Sequence, residues 1–391
     1  MTTTKRGNWN YPTTVRFGAG RLTELPTFCR EQGITRPLVV TDPGLAGLPV
    51  VARTLTLLKD AGLHAGLFSD VQGNPIGKNV DDGVRVYKEG GHDGVVAMGG
   101  GSALDAGKAV ALMSGQKRSM WDFEDVGDNW LRIDAQGIAK TIAIPTTAGT
   151  GSEVGRSSVI TNENEQRKNI IFHPKMLPVV ALCDPELTLS LPAHLTAWTG
   201  IDALSHNLEA FCATGFHPQA DGIAVEGIRL VFRSLRTAFT QGTDVSARAD
   251  MLAASLMGAT AFQKGLGAMH AMAHPIGARL HQHHGQINAV VMPYVLDMNR
   301  SVVDDKLAYL ARVLALPNAT AQGFIDAVLA LRADCKIPHT LAGLTVTGAH
   351  VDELTAMAVD DPAGGGNPIP LTRENTQRLF ERALAGELAT A

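Results

Sequence analysis

Asp202 and His206 stand four residues apart in Gly200-Ile201-Asp202-Ala203-Leu204-Ser205-His206. His270 and His274 repeat that spacing in Met269-His270-Ala271-Met272-Ala273-His274-Pro275, and His284 follows shortly after. On a helix, a spacing of four puts both side chains on one face about one turn apart, so two such helices facing each other can bind one ion. One carboxylate and three imidazoles make a hard-to-borderline donor set that suits Fe(II) or Zn(II). Five positions leave one group over, and the spare histidine would sit beside the metal rather than on it. A single histidine is more often structural than a ligand, but five groups in two such pairs plus one argue against coincidence. His281 and His283 lie next to His284 in His281-Gln282-His283-His284, so the assignment of the last ligand could slip by one.

A second constellation lies upstream. Gly94-Val95-Val96-Ala97-Met98-Gly99-Gly100-Gly101-Ser102 reads as a strand running into a glycine-rich turn, continued as a helix from Ala103 to Leu112. Bare backbone N–H groups and a helix N-terminus are what a diphosphate binds. The turn is not the GxGxxG fingerprint, and alone it would serve equally as a structural turn. Thr141 to Pro145 is a further strand, opening onto Thr146-Thr147-Ala148-Gly149-Thr150-Gly151-Ser152-Glu153, a loop of small hydroxyl residues suited to phosphate and ribose oxygens. Two such loops at strand ends predict a dinucleotide site. Asp42, ending the strand Pro37 to Asp42, can accept hydrogen bonds from a ribose and would repel a 2′-phosphate, which favours NAD over NADP.

The elements that position these groups alternate. Strands are expected at Thr13 to Phe17, Pro37 to Asp42, Ala65 to Phe68, Gly94 to Gly99 and Thr141 to Pro145, with helices at Leu22 to Gln32, Leu48 to Ala61 and Asn79 to Glu89 between the earlier ones. This alternation predicts an α/β domain with a parallel, doubly wound sheet. Beyond Pro192 the β-branched runs give way to long helical stretches such as Ile223 to Thr240 and Ala247 to Phe262. We therefore expect a dinucleotide-binding α/β domain over residues 1–187 and an all-α metal-binding and catalytic domain over 188–391, closing over the first to form a cleft.

The 391 residues are 45% hydrophobic and 18% charged with a net charge of −4, an ordinary globular balance. No basic stretch accumulates, so neither a nucleic-acid nor an anionic-membrane partner has electrostatic support. Cys29, Cys183, Cys212 and Cys335 are widely separated, which points away from a disulfide framework and toward a reducing cytoplasm. Met1 to Asn10 has no apolar run resembling a signal peptide, and no segment reaches the roughly 20 apolar residues of a membrane span.

Together these motifs resemble the iron-containing (group III) alcohol dehydrogenases over nearly the whole chain: Gly99-Gly100-Gly101-Ser102 with Asp105 and Lys108, Pro145 to Val154, Gly200 to His206, His270 to Pro275, and His284-Gly285. The resemblance implies the iron-containing alcohol dehydrogenase fold, of dehydroquinate synthase-like type, and NAD-linked oxidation of a primary alcohol, reversible with the aldehyde. It implies Asp202, His206, His270 and His284 as metal ligands, with His274 as the near-metal histidine able to relay a proton. The glycine loop with Ser102 and Asp105 would hold the diphosphate; Thr146, Thr147, Gly151 and Ser152 would line the cofactor, and Asn74-Pro75 would turn beside its adenine side. Asp361 to Ile369 departs from the usual pattern, and because that segment helps wall the pocket it bears on the substrate rather than the chemistry.

Within the family the closer likeness is to 4-hydroxybutyrate dehydrogenases. It rests on Glu153-Val154-Gly155-Arg156, Cys183 to Leu189, Pro218 to Ala224 and Ala261 to Gly267. Arg156 follows the cofactor loop, where its guanidinium could pair with a substrate carboxylate; a salt bridge is the alternative. Lys264 is a second anion partner to consider, against a solvated helix face. Rival readings are a general short-chain alcohol dehydrogenase, an enzyme like maleylacetate reductase or glycerol dehydrogenase, and a non-catalytic dinucleotide-binding or redox-sensing protein. The family is commonly dimeric or larger, and an exposed strand at Thr13 to Phe17 could pair across a two-fold axis.

Overall fold

Strand-forming residues buried on both faces dictate the first half of the molecule. The structure, a computed structural model, describes residues 13–165 and 167–388; the signal-peptide reading of Met1 to Asn10 lies outside them. These residues form two units, one ending at Ser190 and one beginning at Leu191.

In the first unit, β1 (Thr14–Phe17), α1 (Leu25–Glu31), β2 (Pro37–Val40), α2 (Pro43–Ala46), α3 (Pro49–Asp60), β3 (Gly66–Phe68), α4 (Gly77–Glu89), β4 (Gly94–Gly99), α5 (Gly101–Met113) and β5 (Thr141–Pro145) follow in order. An antiparallel hairpin, β6 (Ser157–Asn162) and β7 (Arg167–Phe172), intervenes before β8 (Val180–Cys183). The main sheet has the order β1-β8-β5-β4-β2-β3, every pair parallel. Alternation along each strand splits the core: Leu38, Val40, Val95, Ala97 and Ala143 pack into one apolar layer, and Val39, Val96, Met98, Ile142 and Ile144 into the other. This is the pattern of a sheet covered on both faces. After β2 the chain turns outward to β3, and then crosses back to β4 on the other side of β2. The ends of β2 and β4 thus flank a reversal of strand order, where doubly wound sheets bind ligands.

The second unit, among the described residues, is built of helices: α6 (Ala193–Cys212), α7 (Pro218–Thr240), α8 (Val245–Ala261), α9 (Ala268–Leu280), α10 (His284–Val313), α11 (Ala321–Asp334), α12 (Val351–Val359) and α13 (Arg373–Ala385). α6 is buried almost all round from Gly200 to Cys212, its polar Asp202, Ser205, His206, Asn207 and Glu209 included, so those groups must find partners inside the protein. Its last carbonyls need partners. Lys264 Nζ donates to Phe211 O at 3.2 Å, and Lys306 Nζ donates to Phe211 O at 2.7 Å and Cys212 O at 3.3 Å. The Lys264 side chain is 1% exposed and also pairs with Asp221. That corrects the reading of Lys264 as a solvated face: it closes the end of α6. No helix among the described residues is long and apolar enough to cross a membrane.

Candidate metal centre and dinucleotide loops

In the sheet unit, four segments meet where β2 and β4 end. Gly99 has φ +146°, a backbone that L side chains rarely adopt, and a Cβ there would stand 2.6 Å from Ala103 Cβ. The turn therefore enters α5 directly, with Gly100 in extended backbone as the cap and no side-chain hydrogen bond from it to the first N–H groups. Thr146 N donates to Gly99 O at 2.9 Å, which ties the second loop to the first. Thr147 packs against Gly100, where a Cβ would lie 3.3 Å from Thr147 Cγ2. Asp42 caps α2 through Leu45 N at 2.9 Å, and its other oxygen faces Gly99. Asn74, with φ +55°, donates its N–H to Ser102 Oγ at 3.2 Å.

Asp105 is spent inside the protein. It accepts from Ser152 Oγ at 2.5 Å and Val159 N at 2.9 Å and pairs with Lys108 at 3.3 Å. Lys108, 1% exposed, donates to Ser152 O at 3.1 Å. Asp105 and Lys108 thus fix the Gly151-Ser152 turn from beneath.

Glu153 beside them is also buried, and burial pushes its carboxyl up from 4.5 to about 7, with a backbone hydrogen bond and the Lys108 charge pulling back. Its native form keeps a proton that the unfolded chain releases, so stability falls as pH climbs from 4.5 to about 7, by about 3 kcal/mol in all. Glu153→Gln, uncharged at every pH, is expected to raise the unfolding temperature over wild type more at pH 8 than at pH 5. Parallel curves of unfolding temperature against pH would refute it.

In the helical unit, Asp202, His206, His270 and His284 each offer one donor atom, and these atoms all lie within 4.8 Å of one another. α6 supplies the first two, α9 the third and the first turn of α10 the fourth. The His206 and His270 rings stack at 4.6 Å, and those of His270 and His284 lie 5.1 Å apart. Of the three neighbouring histidines, His284 is the one in this group. His281, at φ 54°, ends α9 facing solvent, and His283 lies 5.0 Å from the Trp198 ring. His274 is outside the four, its ring stacked 5.5 Å from that of His284, with Nδ1 2.9 Å from Asp361 Oδ2.

Several residues that the sequence reading did not single out complete the arrangement. α9 begins at Gly267, which has no side chain to cap its free N–H groups. Glu209 Oε1 accepts from Met269 N at 2.6 Å and Asn367 Oδ1 from Ala268 N at 3.1 Å. The other Glu209 oxygen lies 2.6 Å from His270 Nδ1. A proton held on Nδ1 leaves the Nε2 lone pair facing the other donors, as carboxylate-backed metal histidines require. Burial lowers the His270 pKa, but the Glu209, Asp202 and Asp361 carboxylates outweigh it and raise the pKa above its ordinary value. Asn367 is locked reciprocally to Asn299 at 2.9 and 3.0 Å. Asp361 to Ile369 therefore orients His274 and caps α9. A donor set of one carboxylate and three imidazoles, three of the four groups buried, fits a four-coordinate Fe(II) or Zn(II).

Arg156 leads into β6 on the sheet unit. Its guanidinium lies 5.5 Å from the centre of the Phe172 ring, with Asp125 close enough to feel its charge, and it makes no ion pair among the described residues.

Residues 12–185 match the family described as iron-containing alcohol dehydrogenase, and residues 196–384 match the C-terminal region of the same Fe-containing family. The chain belongs to the iron-containing alcohol dehydrogenases, a family of oxidoreductases. It is similar to the 4-hydroxybutyrate dehydrogenase of Cupriavidus necator, 37% identical over 386 residues, with 96% of this chain and 99% of the relative covered. A 1,3-propanediol dehydrogenase of Citrobacter freundii is 34% identical over 376 residues, covering 94% of this chain and 96% of the relative. Among solved structures, a 1,3-propanediol oxidoreductase superposes with a TM-score of 0.92 at 32% identity, covering 97% of this chain and all of the other. The sulfoacetaldehyde reductase of Bifidobacterium kashiwanohense, solved with NAD+, does so with a TM-score of 0.87 at 29% identity, covering 98% of this chain and all of the other.

Proposed function

We propose that this family member is a metal-dependent dehydrogenase that moves hydride between a short ω-hydroxy acid, such as 4-hydroxybutyrate, and NAD, reversibly with the corresponding acid aldehyde. Asp202, His206, His270 and His284 would hold the ion, Fe(II) before Zn(II). When bound, the ion supplies Lewis acidity at the alcohol or carbonyl oxygen. His274, its Nδ1 engaged by Asp361, would hold or pass the hydroxyl proton at Nε2. Gly99, Gly100, Gly101 and Ser102, at the head of α5, would bind the diphosphate by backbone N–H groups. Asn74, Thr146, Thr147, Gly151 and Ser152 would line the cofactor, with Asp105 holding Ser152 in place. Asp42 would accept from the adenosine ribose, which supports NAD over NADP, and a relative solved with NAD+ agrees with that choice. The division of labour would follow the chain: cofactor binding over 1–187, metal and catalysis over 188–391. A cytoplasmic homodimer or larger homo-oligomer fits the place of β1 at the sheet edge, where among the described residues it pairs with β8 alone.

The observation that carries the substrate is Arg156. A guanidinium resting on an aromatic face and free of ion pairs among the described residues keeps its bidentate donors for a carboxylate. The 37% identity to a 4-hydroxybutyrate dehydrogenase points the same way. With enzyme loaded anaerobically with Fe(II), NADH oxidation should favour succinate semialdehyde over butyraldehyde. Arg156→Ala should erase most of that preference, about 10- to 100-fold, the worth of a charged hydrogen bond or two. Equal rates with both aldehydes, unchanged in the variant, would leave a general alcohol dehydrogenase, as relatives acting on propanediol suggest.

A further inference from the structure

Asn288 lies one helical turn beyond His284 on α10 and so projects from the same face. It is completely buried. Its Nδ2 stands 2.8 Å from Asp202 Oδ1, 3.3 Å from His270 Nε2 and 3.2 Å from His284 Nε2. Three of the four candidate donors therefore converge on one amide nitrogen. That nitrogen carries two hydrogens and no lone pair to offer, so it faces them as a donor; the amide oxygen in its place would meet acceptors only. An ion held by His270 and His284 would occupy both imidazole lone pairs and would leave Asp202 Oδ1 as the acceptor for the N–H. At the other end Asn288 Oδ1 has no hydrogen-bond partner among the described residues. What orients this amide is its nitrogen.

We propose that Asn288 is a positioning residue of the metal centre. Donation from Nδ2 sets the rotation of the Asp202 carboxylate and draws the first turn of α10 onto α6, and the affinity of the donor set for a divalent cation depends on it. The inference rests on the reading of Asp202, His206, His270 and His284 as metal ligands.

The test uses full-length Asn288→Ala and Asn288→Leu, prepared metal-free and titrated anaerobically with Co(II). Visible absorption of the ion and competition with a chelator give geometry and affinity, and near-ultraviolet circular dichroism checks the fold. Wild type that binds no Co(II) overturns the metal reading itself, and this proposal with it. If wild type binds, both variants are expected to hold Co(II) about 10- to 100-fold more weakly, the usual effect of losing a group that orients a ligand, with a changed visible spectrum. Wild-type affinity and spectrum in Asn288→Ala would overturn the proposal while leaving the metal reading standing. So would their return in Asn288→Leu, which fills the space and donates nothing. Should the leucine variant fail to fold, the alanine result decides.

Discussion

His284→Ala is expected to lose its metal on purification and to lower kcat/KM by about 10³-fold or more, since several kcal/mol of charge stabilisation at the reacting oxygen go with the ion. His283→Ala and His281→Ala should retain both metal and most activity. The reason is positional. His284 opens α10 with its ring among those of His270 and His274, whereas His283 is turned toward Trp198 and His281 toward solvent. Metal content per chain and steady-state turnover across the three variants give a clean reading. Loss confined to His283→Ala would shift the ligand register by one.

Gly285→Ala is expected to do nearly as much damage without touching a donor. A Cβ at that position would stand 2.4 Å from the Trp198 carbonyl oxygen and 3.0 Å from Asp202 Cβ. The obstacle is backbone of the helix that carries Asp202 and His206, so relief requires the start of α10 to move away from α6. Overpacking of this kind costs about 1–3 kcal/mol, and the movement separates His284 from the other three donors. We expect a fall of several degrees in the unfolding temperature of the metal-free protein and a drop in metal stoichiometry in the same sample. Wild-type values for both would show that the two helices have slack where the structure shows contact.

These effects explain which parts of the site could be read from sequence. Asp202 with His206 and His270 with His274 were legible because each pair obeys the periodicity of its own helix. Gly99 to Ser102 was legible because a buried β-branched run meets consecutive glycines. Glu209 was not: three residues beyond His206 it reads as one acid in a helix, and its partner His270 is 61 residues away. Asn288 carried a signal that went unused, being four places beyond His284, the same interval that marks the other two pairs. Asp361 and Asn367 have no local signature, because their meaning lies in the unfilled N–H groups of α9 and in the tautomer of His274. The strand-helix alternation gave most of the parallel sheet, whereas the β6–β7 hairpin went unread, the residues between its strands, Glu163-Asn164-Glu165-Gln166, lacking the glycine that announces a tight turn. Lys264 looked solvated only because the carbonyls it closes belong to a helix ending more than 50 residues earlier.

The clasp that Asn367 places on Ala268 spans 99 residues, and that of Asp361 on His274 spans 87. All four candidate donors leave the ribosome well before either partner exists. A nascent chain exposing Asp202 to His284 would carry the donors on an α9 whose first turn still lacks one of its two side-chain partners, with His274 unanchored. The hold on the first turn of α9 and the anchor of His274 are therefore the last parts of the candidate centre to be completed as the chain is made.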